Sequence, residues 1–431
     1  MSESLAQLPG DQTTAPPVAA VLPSSVGEAW NNYRGKIRSG DLGSLPAVLG
    51  IVLLVLIFGI AEPSLIGASS LQSVLEFAAP AVVLAMGLVF VLLLGEIDLS
   101  AGVVGSTAAC FGVYWTYYHG WSWYLAIIAA MVFGTVCGVV LGWLRARLGI
   151  PSFVVTLAAF ISFQGVQIFL ADTKAGGLLE NKQPILGELI SGRLSKVGSY
   201  VFLAVLIILY AAVKYAQRAD RSRQGLATEA PILLILRIVG FIVLGGLFTY
   251  ACNLNTLASW QAAKGLYSGG MPWSVPIIAF LVIAFTFMLS KTRYGRHIYA
   301  VGGNNEAARR AGIPVVLIRT SVFVICSGLA AVSGLLLAAQ EGQATDSQGL
   351  GNTLLLGVAA AVIGGTSLMG GRGRVVDAVL GGVALTILSF GMTDLISGAS
   401  NGQWEDIITG IVLLIAAWVD AASRHAGRQA G

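Results

Sequence analysis

The chain has 431 residues, of which 56% are hydrophobic and only 11% charged, with a mean hydropathy of +0.81 and a net charge of +4. That balance excludes a water-soluble domain folded around one core, and nothing in it points to a nucleic-acid partner. The four cysteines lie in or beside apolar runs without CxxC spacing, and the three histidines are far apart. They predict small core residues and no metal site.

In chain order, residues 1–45 are rich in Ser, Pro and Gly and predict a largely disordered cytoplasmic tail. Within it, Glu28–Arg38 is suited to lying on a membrane surface. The run Val18–Leu22 is short, bounded by prolines and preceded by no basic residue, so a cleaved signal peptide is not expected. A transmembrane domain over 46–425 follows, then a short tail at 426–431. Its apolar runs predict twelve helices, near 47–61, 71–95, 101–118, 122–143, 152–171, 198–214, 232–250, 273–290, 319–340, 354–368, 375–397 and 404–422. The first and tenth are short for a bilayer; if some are re-entrant the count falls to ten. The fold class is an all-α polytopic bundle.

Two segments interrupt this pattern with glycine and hydroxyl residues. Leu94–Gly102 reads LGEIDLSAG and Val362–Arg374 reads VIGGTSLMGGRGR. Backbone freed at membrane depth needs protein or a wet cavity to satisfy it, so such breaks are candidates for lining a transport path. Glu96, Asp98, Ser100 and Thr366 are the candidate residues. Capping is the competing role, since Asp98 or Ser100 suffices to start the third helix. Gln164 and Gln167 share a helix face suited either to a polyol or to interhelical hydrogen bonds. The second segment lacks GxxxxGK[ST], which occurs nowhere in the chain, so ATP binding by that device is not expected. Gly134, Gly138 and Gly142, like Ala330, Gly334 and Ala338, recur every fourth residue and predict close helix packing. Arg237 lies near enough to a span end to snorkel, and Asp377, Glu405 and Asp406 suit capping. Glu76 and Asp394 are deeper and have no evident basic partner. Few buried ionisable relays argues against an ion-coupled carrier.

Residues 291–312, KTRYGRHIYAVGGNNEAARRAG, are polar and basic between two spans. Gly302-Gly303 breaks the chain and Asn304 is placed to cap the N–H groups that follow. Glu306 suits the positive end of a short helix, Arg309 and Arg310 its negative end, Gly312 a left-handed stop, and Pro314 bars simple continuation. A capped helix standing off the membrane predicts a docking element; a solvated basic loop is the plainer alternative. With both termini cytoplasmic, 19 Lys and Arg fall on inner segments and 5 on outer ones, Arg237 alone lying within a span. Positive-inside bias therefore places 291–312 in the cytoplasm.

Three motifs in order, LLLGEIDLSAG, RYGRHIYAVGGNNEAARRAGI and AAAVIGGTSLMGGRGRVVDAVLGG, resemble carbohydrate permeases of ATP-binding-cassette importers, in the ribose/galactose/xylose family. The resemblance runs from about Leu71 to Asp420 apart from a variable middle. Glu96, where ribose-type members commonly carry Gly, and the insertion at 214–251, a basic loop plus an extra span, are similar to the xylose-type branch. Leu354-Leu355-Leu356 departs from the acidic residue often found before the third motif. The resemblance implies that the cytoplasmic segment, 291–318, meets an ATPase through Gly302, Gly303, Asn304, Asn305, Glu306, Ala307, Ala308, Arg309 and Gly312. It also implies ATP and Mg on that partner and no cofactor on this chain, an extracytoplasmic sugar-binding protein, a second permease copy as a homodimer, and a bacterial inner-membrane location. The expected function is import of a monosaccharide such as xylose, without chemistry on it. An ion-coupled secondary sugar transporter is the alternative, and a bare channel ranks third. The topology is checked by a cysteine at position 305 in a cysteine-free background, which should react with an impermeant reagent only from the cytoplasmic side.

Overall fold

The computed structural model describes residues 25–38, 43–171, 178–180, 192–226, 228, 230–256, 269–395, 403–404, 406–415 and 418. The tail before Ser25, the side chain of Asp394, Glu405 and the residues after Trp418 lie outside these. Apart from the tenth beyond Ile363, each expected span is helical over nearly all of its described part: α2 (Leu45–Ala61), α3 (Ala68–Leu93), α4 (Ala101–His119), α5 (Trp123–Leu148), α6 (Ser152–Ala171), α7 (Lys196–Arg223), α8 (Pro231–Cys252), α9 (Ser274–Lys291), α12 (Val315–Glu341), α13 (Thr353–Ile363), α14 (Val375–Leu395) and α15 (Asp406–Ile415). Among the described residues, 8 helices are long and apolar enough to cross a membrane. The tenth expected span shrinks to α13, whose 11 residues cover about 16 Å, half a hydrocarbon core. Glu28–Arg38 falls within helix α1 (Val26–Arg38). A short antiparallel pair, β1 (Leu178–Glu180) and β2 (Gln343–Thr345), is an addition to the all-helical expectation.

The chain divides into two compact units, Met1–Ser39 with Leu203–Gly246, and Gly40–Phe202 with Leu247–Gly431. In the first, residues expected as a basic loop after 214 instead continue α7 to Arg223, and a methyl at Gly245 of α8 would stand 2.6 Å from Leu203 of α7. Tyr210 and Phe241 pack with ring centroids 5.5 Å apart across the same pair.

The second unit is organised around α12, which packs on α5, α3 and α4. Its neighbours come close because their contact positions lack side chains. A methyl added at Gly138 of α5 would sit 2.6 Å from the Phe323 carbonyl, and one at Gly142 2.8 Å from the Thr320 Cα. Further along α12, Gly105 of α4 and Gly334 face each other so tightly that a methyl on either would collide with backbone. The two small-residue stripes are thus separate helix crossings, as expected for helices that associate in lipid by van der Waals packing. Gly87 of α3 lies against Cys326, and Ser333 Oγ donates to the Pro80 carbonyl at 2.7 Å, so α3 runs antiparallel to α12. All four cysteines are buried free thiols.

Gly138→Leu should therefore force α5 off α12, at a cost above the roughly 1–3 kcal/mol of ordinary overpacking. Gly165→Leu, on α6 with nothing within 4 Å of its would-be methyl, is the control. Thermal unfolding of the detergent-solubilised protein should fall sharply for the first and stay near parental for the second.

Candidate coupling and translocation site

The basic segment after α9 folds as two helices rather than one, α10 (Arg293–Gly303) and α11 (Asn305–Arg310), hinged at Asn304. Thr292 Oγ1 starts α10 by accepting the Gly295 N–H at 3.2 Å, and Asn304 Oδ1 starts α11 by accepting the Ala307 N–H at 3.0 Å. Gly312, at φ 81°, closes α11 in the left-handed region where glycine carries no Cβ penalty. Pro314 is the N-cap of α12. Glu306 and Arg309 pair at 2.8 Å on the solvent side, an exposed contact that adds little stability.

One face of α10 is held to the bundle. Ile298 and Val301 are buried, Tyr294 Oη shares a hydrogen bond with Ser321 Oγ at 2.7 Å, and Tyr299 Oη donates to the Gly373 carbonyl at 2.8 Å. Burial pushes both phenols up, opposed for Tyr294 by the Ser321 hydrogen bond, so they remain donors near neutral pH. For Tyr299 the Asp377 carboxylate adds to the rise and Arg374 opposes it. At Gly302 the helix meets the end of α3 and the α13–α14 loop. A methyl there would collide with the Leu93 carbonyl, which itself accepts the Gly371 N–H at 2.8 Å. The nine residues expected to couple thus divide. Gly303, Asn304, Glu306, Ala307, Arg309 and Gly312 are exposed, Gly302 and Asn305 are intermediate, and Ala308 is buried in the core. Ala308 therefore belongs to the packing face, and the pair Ala307-Ala308 is not a single surface feature.

The first glycine break also has a definite depth. Gly105 rests on Ala330, 15 residues or about 22 Å into α12, whereas Leu93 lies toward the end at which α12 begins. Residues 94–100 thus climb from that end to a helix that begins inside the bundle. There α4 starts beside α13: a methyl at Gly102 would lie 3.0 Å from the Gly349 carbonyl and 3.5 Å from the Leu354 nitrogen. Two interrupted helices present their N-termini side by side, the arrangement by which broken helices line membrane transport paths.

The six candidate path residues do not gather at one point. Asp98 is buried; its Oδ1 accepts from the Ser100 N–H at 2.9 Å and from Ser100 Oγ at 2.7 Å, while Oδ2 has no hydrogen-bond partner among the described residues. Asp98 and Ser100 therefore act together as the turn that opens α4. Gln167 is fully buried and donates to the carbonyls of Thr345 at 2.9 Å and Gln348 at 2.7 Å, tying α6 to the chain after α12. Gln164, on the same face, is only half-buried. Thr366 is buried in the α13–α14 loop against Gly373, near the cytoplasmic end.

Glu96 is the centre of a charge cluster that sequence reading missed. Arg145, at the end of α5, donates through Nε to both Glu96 oxygens at 2.9 and 3.0 Å and through Nη2 at 2.7 Å. Arg319, in the second turn of α12, stands 3.5 Å away. Glu76 likewise has a partner, contrary to expectation: Arg193 pairs with it at 2.8 Å and also contacts Gln72. The partners are 49 and 117 positions distant in the chain, beyond any local pattern. Paired charges are thus present inside the bundle, and their supposed scarcity no longer weighs against ion coupling. As expected, Asp377 caps α14, accepting the Arg374 N–H at 2.8 Å.

A polytopic helical bundle, with helices broken at membrane depth and a capped helix pair on its basic face, defines a membrane permease. The chain belongs to the family described as branched-chain amino acid transport system / permease component, which it matches over residues 70–417. It is similar to the xylose transport system permease protein XylH of Haemophilus influenzae, 31% identical over 398 residues covering 90% of this chain and 99% of that protein. XylH of Escherichia coli K12 is 31% identical over 396 residues, covering 90% and 94% respectively. The ribose import permease protein RbsC of the same organism is 31% identical over 257 residues, covering 58% and 76%. No solved structure gives a significant match. The protein is thus a multi-pass permease of the bacterial inner membrane and not an enzyme.

Glu96→Gln should leave two guanidinium groups facing a neutral amide, at a cost near or below the lower end of the roughly 3–5 kcal/mol for breaking a buried pair. Arg145→Lys should recover only part of the stability, because an ammonium cannot reproduce the two-pronged contact. Unfolding midpoints in the order parental, Arg145→Lys, Glu96→Gln would bear this out, whereas equal midpoints would show the cluster to be solvated.

Proposed function

We propose that the chain is the membrane-spanning subunit of an ATP-binding-cassette importer, carrying a monosaccharide, xylose or a related sugar, into the cytoplasm. A separate ATPase would dock on α10 and α11, an extracytoplasmic binding protein would deliver the sugar, and two copies of the chain would form the pore. The observation that carries this reading is the cytoplasmic helix pair. It is capped at Asn304, its outer face is exposed, and its inner face is tied through Gly302 to α3 and to the loop after α13. A solvated connector has no need of that tie. The break after Leu93 leads from the same joint to the paired N-termini of α4 and α13, so a movement of the docking element has a material route to the proposed path.

The family description names branched-chain amino acids, whereas the relatives above are named for xylose and ribose. A monosaccharide is the reading that coverage favours, since the XylH proteins align over nine-tenths of the chain. The buried charges give the ion-coupled alternative a specific basis, because Glu96 and Asp98 both lie buried along the break that opens α4.

Ala307→Trp and Glu306→Lys alter the exposed face without entering the core. Both should abolish ATP-driven uptake of labelled xylose and weaken retention of the ATPase, with normal membrane abundance. Ala308→Trp, by contrast, should lower abundance, because it fills a buried position. Parental uptake and ATPase retention in the first two would reduce the segment to a basic loop. Uptake that collapses with a protonophore while ATP is maintained would select the ion-coupled reading. Uptake of leucine in place of xylose would overturn the substrate assignment alone.

A further inference from the structure

A slot of about 570 Å³ lies among α2, α3 and α14, with Phe248 of α8 and Ile278 of α9 completing its wall, and Val55, Ala78, Val383 and Ile387 line it. Its polar lining side chain is Ser70, whose hydroxyl already donates to the Ser64 carbonyl at 3.0 Å. The slot therefore offers an occupant no free side-chain donor and, at most, the Ser70 oxygen as an acceptor at its mouth. Water is ill-suited to a cavity of this kind, and a sugar would lose hydration at nearly every hydroxyl without replacement. The slot is not part of a polar path, and its occupant has to be apolar.

Its shape narrows the choice. Along α3 the wall extends from Gly67 to Val82, about 22 Å of helix. That length matches half of a bilayer about 40–45 Å thick with its headgroup regions. The slot begins at the end of α3 remote from Leu93 and stops near mid-depth. It runs along the helix and so along the acyl chains of one leaflet. It also opens sideways, since Val55 is 39% and Ile66 64% exposed although both line it.

We infer that one acyl chain of an outer-leaflet phospholipid occupies this slot as a resident part of the fold. The inference stands apart from the transport reading, because it needs only that the helices cross a bilayer with the basic face inward. It locates a lipid between α2 and α14, two helices that also touch each other directly.

The probe is phosphatidylethanolamine carrying a photoreactive diazirine on its acyl tail, reconstituted with the full chain in nanodiscs. The protein is then extracted and washed with detergent before illumination. Adducts at Val383 and Ile387 should survive washing, while adducts at the lipid-facing Ile161 and Phe169 of α6, 63% and 73% exposed, should vanish. Ala78→Phe and Val383→Phe, filling the slot from opposite walls, should each abolish the wash-resistant labelling at Ile387. Loss of slot and surface labelling in parallel would mean ordinary boundary lipid and overturn the inference. So would persistence at Ile387 in both filled variants. A disulfide between copies through Ile66→Cys, with Val383 unlabelled, would instead show a second copy covering the slot. Should neither filled variant fold, the washing comparison on the parental protein decides.

Discussion

Backbone has to touch backbone around α12, and the rest of the bundle depends on that. In water a helix crossing is driven by removing apolar side chains from solvent; in lipid that drive is absent, and close approach takes its place. Three helices accordingly meet α12 at positions where the side chain is missing or a single methyl: Gly138 and Gly142 from α5, Gly105 from α4 and Gly87 from α3. Once α12 is fixed in this way, Arg319 at its cytoplasmic end is carried to within 3.5 Å of Glu96. Arg145, on α5, reaches the same carboxylate because Gly142 holds α5 in place half a turn or more earlier. The charge cluster is thus a product of glycine spacing as much as of charge.

That order of dependence explains what was legible beforehand. A small residue every fourth position is a periodic signal, so both stripes could be read as helix contacts, although not which helix each would meet. Caps are local as well. Asn304, Glu306 and Gly312 announce α11 within nine residues, and the structure places the Asn304 side chain on the Ala307 N–H as the pattern implies. Partners of buried charges are not local: Glu96 with Arg145 and Glu76 with Arg193 are joined by tertiary packing alone. Ala307 and Ala308 show the same limit at the smallest scale. They are chemically identical neighbours, and only the packing of α11 on the bundle determines that one faces solvent and the other the core.

Segment boundaries erred where apolar composition outruns regular structure. Residues 354–368 read as one span because leucine, alanine and valine continue up to Ile363, yet the glycines that follow turn the chain into a loop. After 214 the opposite happened. Charged residues suggested a loop, but Lys214, Arg218, Arg221 and Arg223 are good helix formers, and α7 simply continues. Hydropathy reports where a chain is in apolar surroundings, whereas propensity and capping determine where a helix stops.

The meeting of Gly302 with Leu93 and Gly371 has a mechanical consequence. Most helix contacts are cushioned, since side chains between the two axes change rotamer and absorb part of any displacement. Here the chain has no side chain to yield, and a hydrogen bond from Gly371 to the Leu93 carbonyl ties the neighbours to each other. Such a joint has little compliance: it either stays closed or parts altogether, as packed interfaces do when they shift between discrete arrangements. A displacement of α10 therefore has little room to be absorbed locally. It moves the end of α3 and the loop before α14 as one piece, and the unwound residues after Leu93 are the first place where the backbone is free to bend.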